Sequence, residues 1–531
     1  MSSIALARRL IVVGFAMGAL TFAQPSAADD KPPAGIVPST ATLDSVLAGY
    51  DKARSSKAPA TMVEDGRVQM YGLSGTYHDV YSQDDYMEST SLGVVSWANG
   101  SSGGQRWYQN ENGIVTLEHD THQENEIAHS ALAEHTKNSD IGLSLAGESL
   151  DPAAYVIEIH AQGGRHEWQY FDKKSYELVR SVEVYPDRRV TTTFDDYHTT
   201  GAYTAAWHVH VSDGFSQNDV DYVTTGLKFD EPVNAADLNI PQSNPNFVQF
   251  PAGTQAVQLP AKIVDGRVIV QVTINGRGLD FQLDSGASSI LIDADVAKQL
   301  GLKTFGRSTQ TAAGNFEDSE ALIPDLGVGA IHMKNVAVDV ASFNSQEDRD
   351  TQVVGLLGFD FIASAMVEID YKGGTVQAML PYLFVPPANA IAVDAYWDDG
   401  VPKVQALVGD VPANFIIDTG ADDGIIFSSF ARAHADVVRD QGAGHRMLDA
   451  DPFMHASGVG GEMSMTPTQV KALSIGGATF NEFVMYEVDD PGFEVEDYAG
   501  LLGHNFLDYF TLYLDYRDNH IYLIPNSNAR G

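Results

Sequence analysis

The sequence predicts a mainly β protein in three parts: a β-rich curved-sheet or half-barrel domain with a short helix, then two duplicated β lobes in tandem. Three observations predict it. Strand-like patterning runs from about Val63 to Ile240. Further on, an apolar strand, an Asp-Ser/Thr-Gly-Ala string and a second apolar strand occur twice, and a repeat of that size signals duplicated units. The composition, 44% hydrophobic and 19% charged with 48 Gly and 22 Pro in 531 residues, is ordinary for a globular chain. It excludes disordered, collagenous and coiled-coil classes.

The parts follow in order. Residues 1–28 read as a secretory signal peptide: Arg8 and Arg9 precede an apolar run from Leu10 to Ala23, and small residues lead to a cleavage position after Ala28. The run is too short to span a bilayer. The mature chain is therefore expected to be periplasmic or secreted, with no stable membrane anchor. Residues 29–41, polar and proline-rich, form a linker. The N-terminal β-rich domain, 42–242, opens with Leu43, Val46, Leu47 and Tyr50 at helical spacing. Its strands include Tyr155–His160, Arg180–Tyr185, Val190–Phe194 and Ala206–Val211, punctuated by Gly163-Gly164 and Pro186-Asp187. A second linker, 243–259, is rich in Pro, Asn and Gln. The lobes occupy 260–385 and 386–531.

Charge and cysteine content narrow the function. Asp and Glu number 71 against 32 Lys and Arg, a formal net charge of −39. Such a surface repels phosphate backbones, so no nucleic-acid partner is expected. The absence of cysteine excludes disulfides, thiolate metal sites, a cysteine nucleophile and a lipidated cysteine.

The repeat carries the chemistry. The first copy reads Leu279-Asp-Phe-Gln-Leu-Asp284-Ser285-Gly286-Ala287 and the second Phe415-Ile-Ile-Asp418-Thr419-Gly420-Ala421. Downstream stand Gly355-Leu-Leu-Gly358 and Gly500-Leu-Leu-Gly503; Gly314 and Gly458 precede these strings at separations that agree to within one residue, but follow their aspartates at unequal distances, so the cleft is expected to be asymmetric. Asp284 and Asp418 are the candidate catalytic pair, because two carboxyl groups sharing one proton can activate a water and protonate a carbonyl together. Like charges held that close cannot both ionise readily, so the pair is poised as base plus acid. Gly286 and Gly420 let the backbone approach the carboxylates.

From about Pro260 to Pro525 the chain resembles the pepsin-like aspartic proteases, more specifically the retropepsin-like branch. The resemblance implies an aspartic-type endopeptidase that acts on an extended peptide or protein without metal or other cofactor. Each lobe would be an acid-protease β-barrel, and the dyad would be intramolecular, in a monomer, with each lobe pairing with its copy in another chain as the alternative arrangement. Ser285 and Thr419 would lock the two loops across a pseudo-twofold axis, the Gly355 and Gly500 strings would brace them, and Gly314 and Gly458 would mark two flap hairpins. Pepsin-type enzymes carry a hydroxyl at the third residue after each aspartate; Ala287 and Ala421 stand there, which predicts raised carboxyl pKa values and a mildly acidic optimum. The arginine that follows the retroviral brace is absent, replaced by Phe359 and His504; Asp422 is expected to face solvent, as most aspartates in such loops do, with contact to His504 as the alternative.

Within the N-terminal domain, Tyr170-Phe-Asp172, Phe194-Asp-Asp-Tyr197, Gly201 and Trp207 resemble the periplasmic carriers of outer-membrane lipoproteins. That resemblance implies an alternative function, a non-catalytic binding protein or carrier for an apolar ligand with inactive protease-like lobes. His208 and His210 alternate on one strand and read as exposed sheet residues, not metal ligands.

Overall fold

Strand alternation in the first part becomes one antiparallel sheet. A computed structural model of the chain describes residues 31–54, 59–82, 85–117, 141–161, 166–184, 188–311, 315–342, 353–398, 400–440, 454–458, 461–488 and 498–526. The signal peptide and the turns at 163–164 and 186–187 lie outside these residues. The fold is mainly β. Fourteen strands of the N-terminal domain pair antiparallel, beginning with Ile36–Val37 on Ile141–Leu150 at one edge and closing with Val115–Leu117 at the other. In Thr61–Met70 every second residue is buried, as a sheet with one covered face requires. The short helix spans Leu43–Arg54 and buries Val46, Leu47 and Tyr50 against that face. Tyr50 meets Phe171 edge-on at 4.8 Å between ring centroids. Burying three large side chains of this kind contributes about 1.5–3 kcal/mol each.

The connection at 243–259 is tied down rather than slack. Val248–Gln249 pairs with His332 and Met333 of the first lobe, and Ala256–Gln258 pairs with Gln377–Met379. Phe247, Val257 and Leu259 are buried in the core of the lobes, so a few apolar side chains in a polar segment anchor it.

Each lobe repeats one arrangement. In the first, the strand Val353–Leu357 runs parallel to Arg277–Leu283 and antiparallel to Ile290–Asp293, threading between the two arms that flank Asp284. In the second, Gly500–Leu502 lies in the same way between Val411–Ile417 and Ile425–Phe427. The threaded strands read as continuous apolar runs because both faces are covered. Gly500 lies at φ 159, and a Cβ there would stand 1.9 Å from the Ile425 carbonyl oxygen, so only glycine allows the strand to pass.

The lobes meet through strands donated by both. Met366–Asp370 pairs antiparallel with Phe510–Asp515, Ile369 opposite Leu512 and Glu368 opposite Tyr513. Thr375–Met379 and Ala256–Gln258 extend one side, His520–Pro525 and Ile391–Asp398 the other. One hydrophobic core runs beneath both lobes.

Candidate active site

The threaded strand delivers each aspartate. The backbone N–H of Asp284 donates to the Leu357 carbonyl at 3.2 Å, and that of Asp418 to the Leu502 carbonyl at 3.1 Å. The N–H of Gly286 then donates to Asp284 Oδ1 at 2.8 Å, and that of Gly420 to Asp418 Oδ1 at 2.7 Å. One carboxylate oxygen of each residue is thereby fixed by its own loop.

The hydroxyls cross between lobes. Ser285 Oγ donates to the Ile417 carbonyl at 2.7 Å and accepts from the Thr419 N–H at 3.0 Å. Thr419 Oγ1 donates to the Leu283 carbonyl at 2.9 Å and accepts from the Ser285 N–H at 2.9 Å. Both hydroxyl groups are buried, so each uses its donor and an acceptor site where water cannot substitute. Gln282 adds a contact that the sequence did not suggest, its Nε2 donating to the Gly420 carbonyl at 2.7 Å.

This lock brings the two carboxyl groups into a side-chain hydrogen bond with each other. Glycine is required where they meet, since a Cβ on Gly420 would stand 2.4 Å from Asp284 Cγ. Asp418 is buried and Asp284 half-buried. Burial, then the neighbouring Asp418 charge, holds the Asp284 carboxyl well above the usual range, against the pull of the Gly286 and Ala287 N–H groups. Burial also raises Asp418, against hydrogen bonds from the Gly420 N–H and from Asp284. The pair holds a shared proton to higher pH than isolated carboxyls would.

Behind each loop sits a polar clasp. Gly358 and Gly503 press against the loop carbonyls, and the next N–H groups donate to them, Phe359 to Ala287 at 2.9 Å and His504 to Ala421 at 2.8 Å. Two residues beyond each glycine, Asp360 Oδ2 accepts from the Ile290 N–H at 3.1 Å and Asn505 Oδ1 from the Gly424 N–H at 2.8 Å. Sequence reasoning missed these two residues. Their signal was a matched polar position two residues after the closing glycine of each Gly-Leu-Leu-Gly string.

The two lobes match one family model. Residues 270–361 and 404–506 match the model described as Aspartyl protease. A curated relative, an uncharacterized protein in the cobV 5' region of a Sinorhizobium species, is 25% identical over 116 residues, 21% of this chain and 47% of that protein. The chain thus spans about half the length of that relative. Among solved structures, a DUF1329 family protein from Desulfovibrio piger covers 38% of this chain and 98% of its own, at a TM-score of 0.29 and 13% identity.

One ion contact beside the aspartyl protease-like loops crosses between the lobes. Asp422 does not pair with His504; its ion partner is Arg267, at 3.9 Å, from the opposite lobe. His504 Nε2 lies 3.9 Å from Asp508 and reaches Asp422 only by through-space attraction. The reason is the interlobe packing: the turn ending in Gly266 lies directly against the His504 ring and brings Arg267 over the second loop.

Gly458 stands opposite Gly461 at the end of the hairpin formed by Met454–Gly458 and Gly461–Ile475. Gly314 lies outside the described residues. His208 and His210 are half-buried on the sheet, paired with Asp195 and Asp221 at 2.9–3.2 Å. Among the described residues no group of three or more His, Asp or Glu side chains could hold a metal ion, and no helix is long and apolar enough to cross a membrane.

Proposed function

We propose that the chain is an exported, retropepsin-like aspartic endopeptidase whose two lobes form one intramolecular site, working as a monomer at mildly acidic pH. The observation that carries this reading is the hydrogen-bonded Asp284 and Asp418 pair, held face to face by crossed Ser285 and Thr419 hydroxyls within a single chain.

The chemistry follows from the shared proton. The ionised member takes a proton from a water molecule, whose oxygen attacks the scissile carbonyl carbon. The protonated member gives its proton to the carbonyl oxygen, leaving a neutral tetrahedral diol. Collapse returns one hydroxyl proton to the dyad, while the amide nitrogen takes the proton abstracted from water and leaves as the amine. Burial around the dyad strengthens each transfer, because fixed groups replace mobile water. An extended peptide would be held along the cleft, with the hairpin that ends at Gly458 closing over it.

Purified mature protein is incubated with a denatured protein substrate at mildly acidic pH, beside Asp284→Asn and Asp418→Asn. The expected result is cleavage by the parent protein and a loss of about a thousandfold or more in each variant. Cleavage that survives either substitution, or none in the parent chain, rejects the assignment.

A further inference from the structure

The two clasps behind the dyad loops can be superposed by strand register. Leu291 and Ile425 each stand seven residues after their aspartate; Leu291 pairs with Asp339, and Ile425 with Tyr486. Two residues earlier on those partner strands are Ala337 and Val484, which therefore occupy equivalent places. In the second lobe Asn505 closes the clasp alone: its Oδ1 accepts from the Gly424 N–H, and its Nδ2 donates to the Val484 carbonyl at 3.2 Å.

The first lobe cannot do this. Asp360 stands where Asn505 does, and a carboxylate has no donor for the Ala337 carbonyl. The missing amide comes from the N-terminal domain. Asn112 Nδ2 donates to the Ala337 carbonyl at 3.0 Å and to Asp360 Oδ1 at 2.8 Å, while its Oδ1 accepts from the Ala337 N–H at 2.8 Å. Asn110 Nδ2 also donates to Asp360 Oδ1 at 2.8 Å. The orientation of Asn110 is fixed because its own Oδ1 accepts from the N–H groups of Asn112 and Ile114. All three side chains are buried, and Ile114 seats in the core of the lobes.

We propose that Asn110 and Asn112 are positioning residues for the first catalytic loop: the N-terminal domain completes, through Asp360, the clasp that the second lobe completes with its own Asn505. The N-terminal domain is then a working part of the first lobe rather than an independent module. Removing the Asn112 amide leaves Asp360 and the Ala337 carbonyl as two acceptors facing one another, and the loop that carries Asp284 loosens at Ile290. The consequence for catalysis rests on the dyad reading above; the consequence for the Ile290 amide does not.

The test combines amide hydrogen exchange of the full mature chain with steady-state kinetics on a peptide substrate. Asn112→Ala is expected to speed exchange at Ile290 about tenfold or more and to lower kcat by about tenfold, with KM held within about twofold. Asp360→Asn is isosteric and keeps the fold, yet sets a donor against the two asparagine donors, so it should have the same effect. The reversed pair, Asn110→Asp with Asp360→Asn, restores a donor facing an acceptor and should recover most of the loss that either change causes alone. Asn218→Ala serves as the control. It removes an amide that reads the N–H and carbonyl of Thr309 at the same domain boundary without touching Asp360, and should leave Ile290 exchange unchanged. The proposal is overturned if Asn112→Ala and Asp360→Asn leave Ile290 exchange as it was, if Asn218→Ala speeds it equally, or if the reversed pair is no better than its single changes. Faster Ile290 exchange in a chain without peptidase activity would support the clasp and reject only the catalytic reading.

Discussion

The two lobes share a backbone and differ in what they bury. Where the first lobe carries Asp318, Glu320, Asp339 and Asp360, the register of its strands places Met465, Pro467, Tyr486 and Asn505 in the second. Asp318, Glu320 and Asp360 are buried in the first lobe. Met465 and Tyr486 pack instead into an apolar cluster with Val488 and Leu501. One duplicated unit has therefore become an apolar lobe that stands alone and an acidic lobe that leans on a neighbouring domain. Duplication kept the chemistry of the loops and freed the surroundings to diverge.

The largest expected effect of that difference is on stability against pH. Burial raises Asp360 to about 6, Asp339 to about 7 and Glu320 to about 9, and holds Asp318 well above its ordinary value. In the unfolded chain these groups titrate near 4. Between those limits the folded state binds more protons than the unfolded one, so stability is greatest at acid pH and falls as pH rises through the folded values. The free energy of unfolding should fall progressively from about pH 4 to about pH 9, by an amount on the order of several kcal/mol, and the melting temperature should fall with it. Glu320→Gln should flatten the upper part of the curve. A melting temperature that rises over this interval would contradict the comparison.

Next in size is Asn505→Asp, which gives the second lobe the carboxylate of the first without its donors. The new oxygen would face the Val484 carbonyl in a half-buried place, and denaturant unfolding should show a loss of about 2–4 kcal/mol at neutral pH, smaller when the group is protonated. The crossed hydroxyls should show no such asymmetry. Ser285→Ala and Thr419→Ala each leave a buried N–H and a buried carbonyl unsatisfied, so each should cost about 1–3 kcal/mol, with the double change well short of the sum. The smallest effect is expected of Arg267→Ala. Its contact with Asp422 is long and exposed at the Asp422 end, and unfolding should register about 0.5 kcal/mol or less from the ion pair.

Much of this was readable from the chain. The Asp-Ser/Thr-Gly loops announce themselves because close carboxylate packing admits few residue types, and the Gly-Leu-Leu-Gly strings because a strand covered on both faces must be apolar and, at Gly358 and Gly503, without a Cβ. The helix Leu43–Arg54 followed from four apolar residues at helical spacing. What escaped was contact between distant parts. Asn110-Glu-Asn112-Gly reads as an ordinary polar turn, and nothing local indicates that its amides end on Asp360. Arg267 likewise gives no hint that it crosses to Asp422, and so His504 was the nearer candidate in sequence. The connection at 243–259 looked loose because its polar residues outnumber the apolar side chains that anchor it.

The central claim is that two carboxyl groups share one proton and use it on a peptide bond. A profile of kcat/KM from about pH 3 to about pH 8, on a peptide from a library cleaved by the mature chain, tests it most directly. The account predicts a bell with its maximum at mildly acidic pH, one limb for each ionisation of the pair, and no measurable bell in Asp284→Asn. A profile that keeps its shape and height in that variant would contradict it.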